Sequence, residues 1–313
     1  MKLGIAYIGA FLPEHLRLDL ADIRGIGCDE LLITLAENDF HITQGKVQFA
    51  PAIAHDLGLR ILANFWGLAC AFGGGRVSRL LTDNPDVWQV LRDGSRKGEG
   101  CMNHPALLQR AREMVDTCVA AGYDGFFWDE PTVQHCYCRH CCEEYLKAYG
   151  GDLLQAAPEQ VHAFRQHSIV RYVQGMSEYV KAQRADLETA TCVMPIDQEA
   201  WEPTARIAAL DTFGTDPYWE CFGKPPSWVT ESTRETLAIC RRYGKRSLMW
   251  LQGWRMPRGR EDEIEKAGRL IAAEQPDALY TWAYRASEGT NETSQDPRRA
   301  WEVIVRTYRA LKG

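Results

Sequence analysis

The residues with the clearest chemical potential lie close together near the middle of the chain. The run Tyr123-Asp124-Gly125-Phe126-Phe127-Trp128 ends in Asp129, Glu130 and Pro131. Carboxylates at the end of an apolar strand, bounded by aromatics, occupy the kind of site where burial lifts a carboxyl pKa toward that of a proton donor. Neighbouring residues on a regular strand point to opposite faces. Both acids therefore serve one site only if the strand breaks at Glu130, a break that Pro131 favours. Other acids follow other apolar runs: Asp216 in Gly214-Thr215-Asp216-Pro217-Tyr218-Trp219, Asp197 and Glu199 in a separate stretch, and Glu37.

Just beyond the acid pair, Cys136, Cys138 and Cys141 place three soft ligands within six residues. Thiolates at this spacing wrap a tetrahedral ion, with zinc the usual choice. Cys101, at the end of a neighbouring long loop, is the first candidate for a fourth ligand, with Cys142, His135 and His140 as open alternatives. A shell made only of cysteines leaves no open coordination position, so the expected zinc is structural. The chain has 11 cysteines, and the short apolar start, with Gly4, Gly9 and no small-residue cleavage site, does not read as a secretion signal. The expectation is a cytoplasmic protein with reduced thiols, in which clustered cysteines mean metal before disulfide. Cys28, Cys70, Cys118, Cys192, Cys221 and Cys240 lack ligand spacing and read as small buried hydrophobes.

A third signal is aromatic. Trp66, Trp128, Trp219, Trp250, Trp254 and Trp282 fall at or just past the ends of apolar runs, joined by Tyr7, Tyr218 and Tyr284. Sugar rings stack their C–H faces on aromatic planes and need polar groups around their edges. Asn38, Asn64, Gln252 and Arg285 are candidates for those edges, and Glu37 for an acid or sugar ligand. Trp88, Trp201, Trp228 and Trp301 read as packing residues on helices.

These residues need a scaffold. The chain is 45% hydrophobic and 25% charged with a net charge of −6, ordinary for a globular protein. It has no Lys/Arg run of the kind that tracks phosphates, which argues against nucleic acid, and no stretch near the roughly 20 apolar residues that span a bilayer. Eight β-rich runs, at 3–8, 30–35, 60–65, 125–129, 189–194, 212–215, 247–251 and 278–283, alternate with helical stretches, clearest at 13–23, 105–121, 161–184, 227–243, 261–273 and 297–311. Eight such units predict a (β/α)8 barrel. A doubly wound sheet lacks its Gly-x-Gly-x-x-Gly turn here. Two long connections, 67–103 and 131 to about 159, follow the third and fourth strands, so they belong at the C-terminal face where barrel active sites sit. No linker interrupts the chain, and residues 1–313 read as one catalytic barrel domain. Self-association into a homo-oligomer stays open.

The succession Gly94-Ser95-Arg96-Lys97, Cys101-Met102-Asn103-His104-Pro105, the strand-end carboxylates, the cysteine run and Tyr145-Leu146-Lys147-Ala148-Tyr149-Gly150 resembles the zinc-bearing β-galactosidases of glycoside hydrolase family 42 and related barrel hydrolases. The resemblance covers roughly 94–150. It implies that one cysteine from the third loop joins three from the fourth, which favours Cys101. It also implies that Glu130 takes the place of the family's acid/base, with Asp129 where the family has Asn. The family's nucleophilic Glu at the end of the seventh strand has no counterpart, because Ser247-Leu248-Met249-Trp250-Leu251-Gln252-Gly253-Trp254 contains no carboxylate. Asp216 is the first candidate for a second acid, with Asp197 and Glu199 behind it. The Asp-Glu pair also resembles that of the substrate-assisted N-acetylhexosaminidases, which need no such nucleophile. The leading expectation is an O-glycosidase acting on a small carbohydrate or oligosaccharide through Glu130, Asp129 and Asp216. The alternatives are a substrate-assisted N-acetylhexosaminidase and a non-catalytic sugar-binding barrel.

Overall fold

The computed structural model describes residues 1–9, 12–74 and 77–312. Eight parallel strands close a barrel in the order β1 (Lys2–Tyr7), β2 (Glu30–Thr34), β3 (Arg60–Asn64), β6 (Gly125–Asp129), β7 (Glu188–Cys192), β8 (Thr212–Thr215), β9 (Arg246–Gln252) and β10 (Ala278–Trp282), with β10 paired back to β1. The (β/α)8 expectation holds, and closure excludes the doubly wound sheet. Each apolar run became a barrel strand, with ends shifted by up to two residues. Among the described residues no helix is long and apolar enough to cross a membrane.

The strands are buried on both faces, and their side chains sort by parity. Leu62 on β3, Phe127 on β6, Leu248 and Trp250 on β9, and Ala278, Tyr280 and Trp282 on β10 pack together inside the barrel. The alternate residues, such as Ile61, Phe126, Trp128, Met249 and Leu279, pack outward against the helices. This alternation directs the last residue of β3, β6, β9 and β10 (Asn64, Asp129, Gln252 and Trp282) toward the barrel axis at its C-terminal mouth.

The opposite end is closed by charge. Glu30 and Glu188, both buried, accept from Arg60 and Arg246, with Arg60–Glu188 and Arg246–Glu188 each at 2.8 Å and the Tyr280 hydroxyl donating to Glu30 at 2.8 Å. The two guanidinium groups hold the Glu188 carboxyl below the usual range against its desolvation.

Both long connections contain elements that the apolar pattern did not predict. Residues 67–103 hold a hairpin, β4 (Trp88–Val90) paired antiparallel to β5 (Arg96–Gly100). Trp88 is therefore a strand residue and not a helical one. The turn between them contains Asp93-Gly94, with Gly94 at φ +83°, a hairpin signal legible in the sequence. The second connection carries a helix, α5 (Arg139–Tyr149), which ends on left-handed Gly150.

Candidate active site and cysteine cluster

At the C-terminal mouth lies a cavity lined by Trp66, Gly73, Gly74, Asp129, Glu130, Tyr218, Trp254, Trp282 and Glu292. Strand parity brings Asp129 into it. Continued extension would turn Glu130 outward, but the chain breaks immediately after β6. Glu130 has φ +39°, an uncommon conformation for a non-glycine residue and one that clusters at functional sites. The turn swings its side chain back beside Asp129, so that both acids face one space.

The loop after β3 presses on the pair. The Gly73 amide donates to the Asp129 carbonyl at 3.1 Å. A Cβ on Gly73 would lie 2.8 Å from Asp129 Oδ2 and 3.2 Å from Glu130 Oε2. Only a residue without a side chain permits that approach.

The acids are held in different ways. Asn64, fully buried, donates from Nδ2 to Asp129 Oδ2 at 3.0 Å. Desolvation and the adjacent Glu130 charge lift the Asp129 pKa to about 8, while the Asn64 bond opposes them. Glu130 is raised well above the carboxylate range by desolvation and then by Asp216, with which its carboxyl forms a hydrogen bond. A bond between two carboxyl groups requires a proton, and Glu130 retains it. Desolvation takes Asp216 to about 6, opposed by donation from Glu130 and from the Cys192 thiol. Asp216 is only 2% exposed and does not line the cavity. It therefore reaches the space through Glu130.

The aromatic residues divide. Trp66, Tyr218, Trp254 and Trp282 wall the cavity, with Trp66–Trp282 ring centroids at 5.7 Å and Tyr218–Trp254 at 5.5 Å. Trp250 packs inside the barrel against Phe127 and Trp282. Trp128 and Trp219 face outward, their indole N–H groups donating to Ser177 at 3.1 Å and Glu263 at 3.0 Å. Tyr7 and Tyr284 also pack outward. Parity explains the division for the strand residues Tyr7, Trp128, Trp250 and Trp282, since a position on a strand faces the mouth only on the inward phase; Tyr284, two residues past Trp282, departs from it once the strand has ended.

The polar candidates lie apart from the cavity wall. Glu37 is buried and accepts from Ser78 Oγ at 2.5 Å and from the backbone amides of Leu80 at 2.8 Å and Ala69 at 3.3 Å, tying the loop after β3 to the end of β2. Gln252 is fully buried, with its amide on Glu220 N at 3.0 Å and Trp254 O at 3.1 Å, joining the loops after β8 and β9. Arg285, half-exposed, lies over the Tyr284 ring and 3.8 Å from Asp19. Glu199 pairs with His162 at 2.6 Å on the exterior.

The residue that sequence reasoning missed is Glu292, in the loop after β10. It accepts from Trp282 Nε1 at 3.1 Å, and its charge helps raise both Asp129 and Glu130. No periodic pattern marks this loop. The usable signal was its place after a barrel strand.

Behind the site, the sulfurs of Cys101, Cys136, Cys138 and Cys141 all lie within 4.8 Å of one another, with Cys101–Cys141 at 3.4 Å and Cys101–Cys138 at 3.6 Å. A tetrahedral ion bound at about 2.3 Å per sulfur sets edges of about 3.8 Å, so the cluster fits a metal. Val90 N and Cys138 N both donate to Cys136 Sγ at 3.4 Å, and Asn103 Nδ2 donates to Cys141 Sγ at 3.3 Å, the donors that buried thiolates need. Cys101 follows β5 and Cys141 lies in the first turn of α5, so an ion there would pin the two long loops together. Cys142, His135 and His140 stand outside the set of four.

No known protein-family profile matches the chain, and no curated protein matches it in sequence. Solved structures do. The β-galactosidase of the haloarchaeon Halorubrum lacusprofundi superposes with a TM-score of 0.74 at 15% identity, covering 100% of this chain and 58% of that one. The cold-adapted β-galactosidase of Rahnella sp. R3 gives 0.73 at 13%, covering 100% and 56%. The endo-1,4-β-mannanase of Rhizomucor miehei gives 0.66 at 11%, covering 99% and 94%. The likeness is one of fold alone, the TIM barrel. The chain spans somewhat over half the length of the two galactosidases.

Proposed function

We propose that residues 1–313 act as a single catalytic barrel that hydrolyses an O-glycosidic bond in a small carbohydrate or oligosaccharide, with Glu130 as general acid/base. One observation carries this reading: Asp129 and Glu130 share a desolvated cavity walled by Trp66, Trp254, Trp282 and Tyr218. Glu130 keeps its proton at neutral pH because of burial and its bond to Asp216. It gives that proton to the glycosidic oxygen as the C–O bond breaks and the bonding pair leaves with the oxygen. A water hydroxyl then joins the anomeric carbon, and the water's other proton restores the acid. Asp216 is the partner that sustains the proton on Glu130, and Asp129, fixed by Asn64 and with its pKa lifted to about 8, lies beside Glu130 at the substrate as a largely protonated acid. Trp254 Nε1 is buried without a partner in the protein and suits a sugar hydroxyl.

The presence of both adjacent acids on one wall also supports a substrate-assisted scheme. In it Asp129 orients a 2-acetamido group, whose oxygen attacks the anomeric carbon in place of a protein nucleophile. In the cysteine cluster we place a structural zinc, which supplies cross-linking of the loops and no step of the reaction.

The test is a panel of nitrophenyl glycosides with and without a 2-acetamido group. Turnover confined to the acetamido members selects the assisted scheme. Glu130→Gln should lower kcat about 10²–10⁴-fold. Wild-type turnover in that variant refutes the assignment, and sugar binding without any hydrolysis makes the barrel a non-catalytic binder.

A further inference from the structure

Conventional glycoside hydrolysis needs an anionic carboxylate facing the anomeric carbon as well as a proton donor. The end of the seventh barrel strand, β9, cannot supply it. Its inward residue there is Gln252, buried and committed to the loops through both ends of its amide. Asp216 is nearly fully buried and does not line the cavity, so it supports the donor and does not face the anomeric carbon. Asp197 acts on Glu130 through charge but does not line the cavity.

Glu292 does line the cavity, together with Asp129 and Glu130. The Trp282 indole N–H fixes its carboxylate at 3.1 Å. The Arg255 amide fixes its backbone carbonyl at 3.1 Å, and its own amide donates to Thr290 Oγ1 at 3.1 Å. Among the described residues no Lys, Arg or His forms an ion pair with it. Its carboxylate thus stands in the cavity with no described cation paired to it, close enough to raise two neighbouring acids. Cationic character developing in a bound sugar would meet that carboxylate directly.

We propose that Glu292, from the loop after β10, is the second catalytic carboxylate, taking over the part for which β9 has no residue. The proposal rests on the glycosidase reading of the cavity. As Glu130 protonates the leaving oxygen, positive charge grows on the anomeric carbon. The Glu292 carboxylate meets it, either by bonding to that carbon until water displaces it or by taking a proton from the water that attacks.

The test compares Glu292→Gln, Glu292→Ala and Glu130→Gln on the nitrophenyl glycoside that the wild type turns over best. Gln at 292 still accepts from Trp282, so the fold is kept. Its kcat should fall about 10³-fold with little change in KM. Sodium azide should restore Glu292→Ala at least tenfold, with a glycosyl azide as product by NMR, because a small anion can fill the space and attack the sugar. A merely structural Glu292 predicts neither the azide product nor the rescue. Near-wild-type Glu292→Gln beside an inactive Glu130→Gln overturns this proposal and leaves the glycosidase reading standing. So does an inactive Glu292→Ala that azide fails to rescue. A fully active Glu130→Gln, or no hydrolysis by the wild type across the panel, overturns both.

Discussion

Gly73→Ala isolates the contact between the loop after β3 and the acid pair. The φ of Gly73 lies outside the left-handed region, whereas Gly74 has φ +102° and a Cβ there would meet Trp66 Nε1 at 2.1 Å. Alanine at 73 thus adds one methyl group without backbone strain. That methyl would sit 2.8 Å from Asp129 Oδ2 and 2.9 Å from its Cγ. Relaxing the contact to an ordinary 3.4 Å separation displaces the loop or the carboxylate by about 0.6 Å. The carboxylate is tethered by Asn64 at 3.0 Å, and the loop by the Gly73 amide on Asp129 O at 3.1 Å and the Gly67 amide on Gly73 O at 2.8 Å, so the shift falls on the reacting groups. A 1 Å misplacement can cost about 10²-fold in rate, which puts the expected loss in kcat/KM at about 10- to 100-fold. The assay is steady-state hydrolysis of the preferred nitrophenyl glycoside, with Tm measured in parallel. Gly98→Ala is the control, since a Cβ there meets nothing within 4 Å and activity should be unchanged. Wild-type kcat/KM in Gly73→Ala, with Tm unchanged, would refute the claim that this loop positions the acids.

Three further outcomes follow from the same geometry. The charge of Asp216 helps raise Glu130, and activity is lost as pH rises through the Glu130 pKa. Asp216→Asn should therefore move the alkaline limb of kcat/KM to lower pH, and an unmoved limb removes Asp216 from the proton-holding role. Metal analysis should find about one zinc per chain; Cys101→Ser should lose it and lower Tm, and folded wild-type protein free of metal counts against the zinc site. Glu188→Ala removes the buried anion between Arg60 and Arg246 and should destabilise the barrel by about 3–5 kcal/mol in denaturant unfolding, whereas a change below about 1 kcal/mol would show the pairs to be worth no more than surface ones.

The sequence by itself determined the eight strands, because a strand buried on both faces must be apolar along its length, and that signal is local. Strand parity then settled more than first appears. Once β6 ends at Asp129, the inward phase of Phe127 carries Asp129 into the mouth and sends Trp128 to the helices, and the same counting separates Trp282 from Tyr7. The three clustered cysteines were equally legible, since their spacing alone places three thiolates around one point.

Only the tertiary structure decided the rest, because it depends on groups brought together from distant strands and loops. The left-handed turn at Glu130 recovers for the site a residue that parity alone would discard. Closure of the barrel sets Asp216 beneath Glu130 rather than beside the cavity, converts Asn64, Gln252 and Glu37 into internal ties, and places Cys101 with the other thiols. It also carries the loop after β10 back to the loop after β3, across the seam where the last strand meets the first. Glu292 thereby faces Asp129 and Glu130 from more than 150 residues away in the chain. A pattern of local periodicity holds no record of that meeting, because it is the closed ring of hydrogen-bonded strands that brings the loops together.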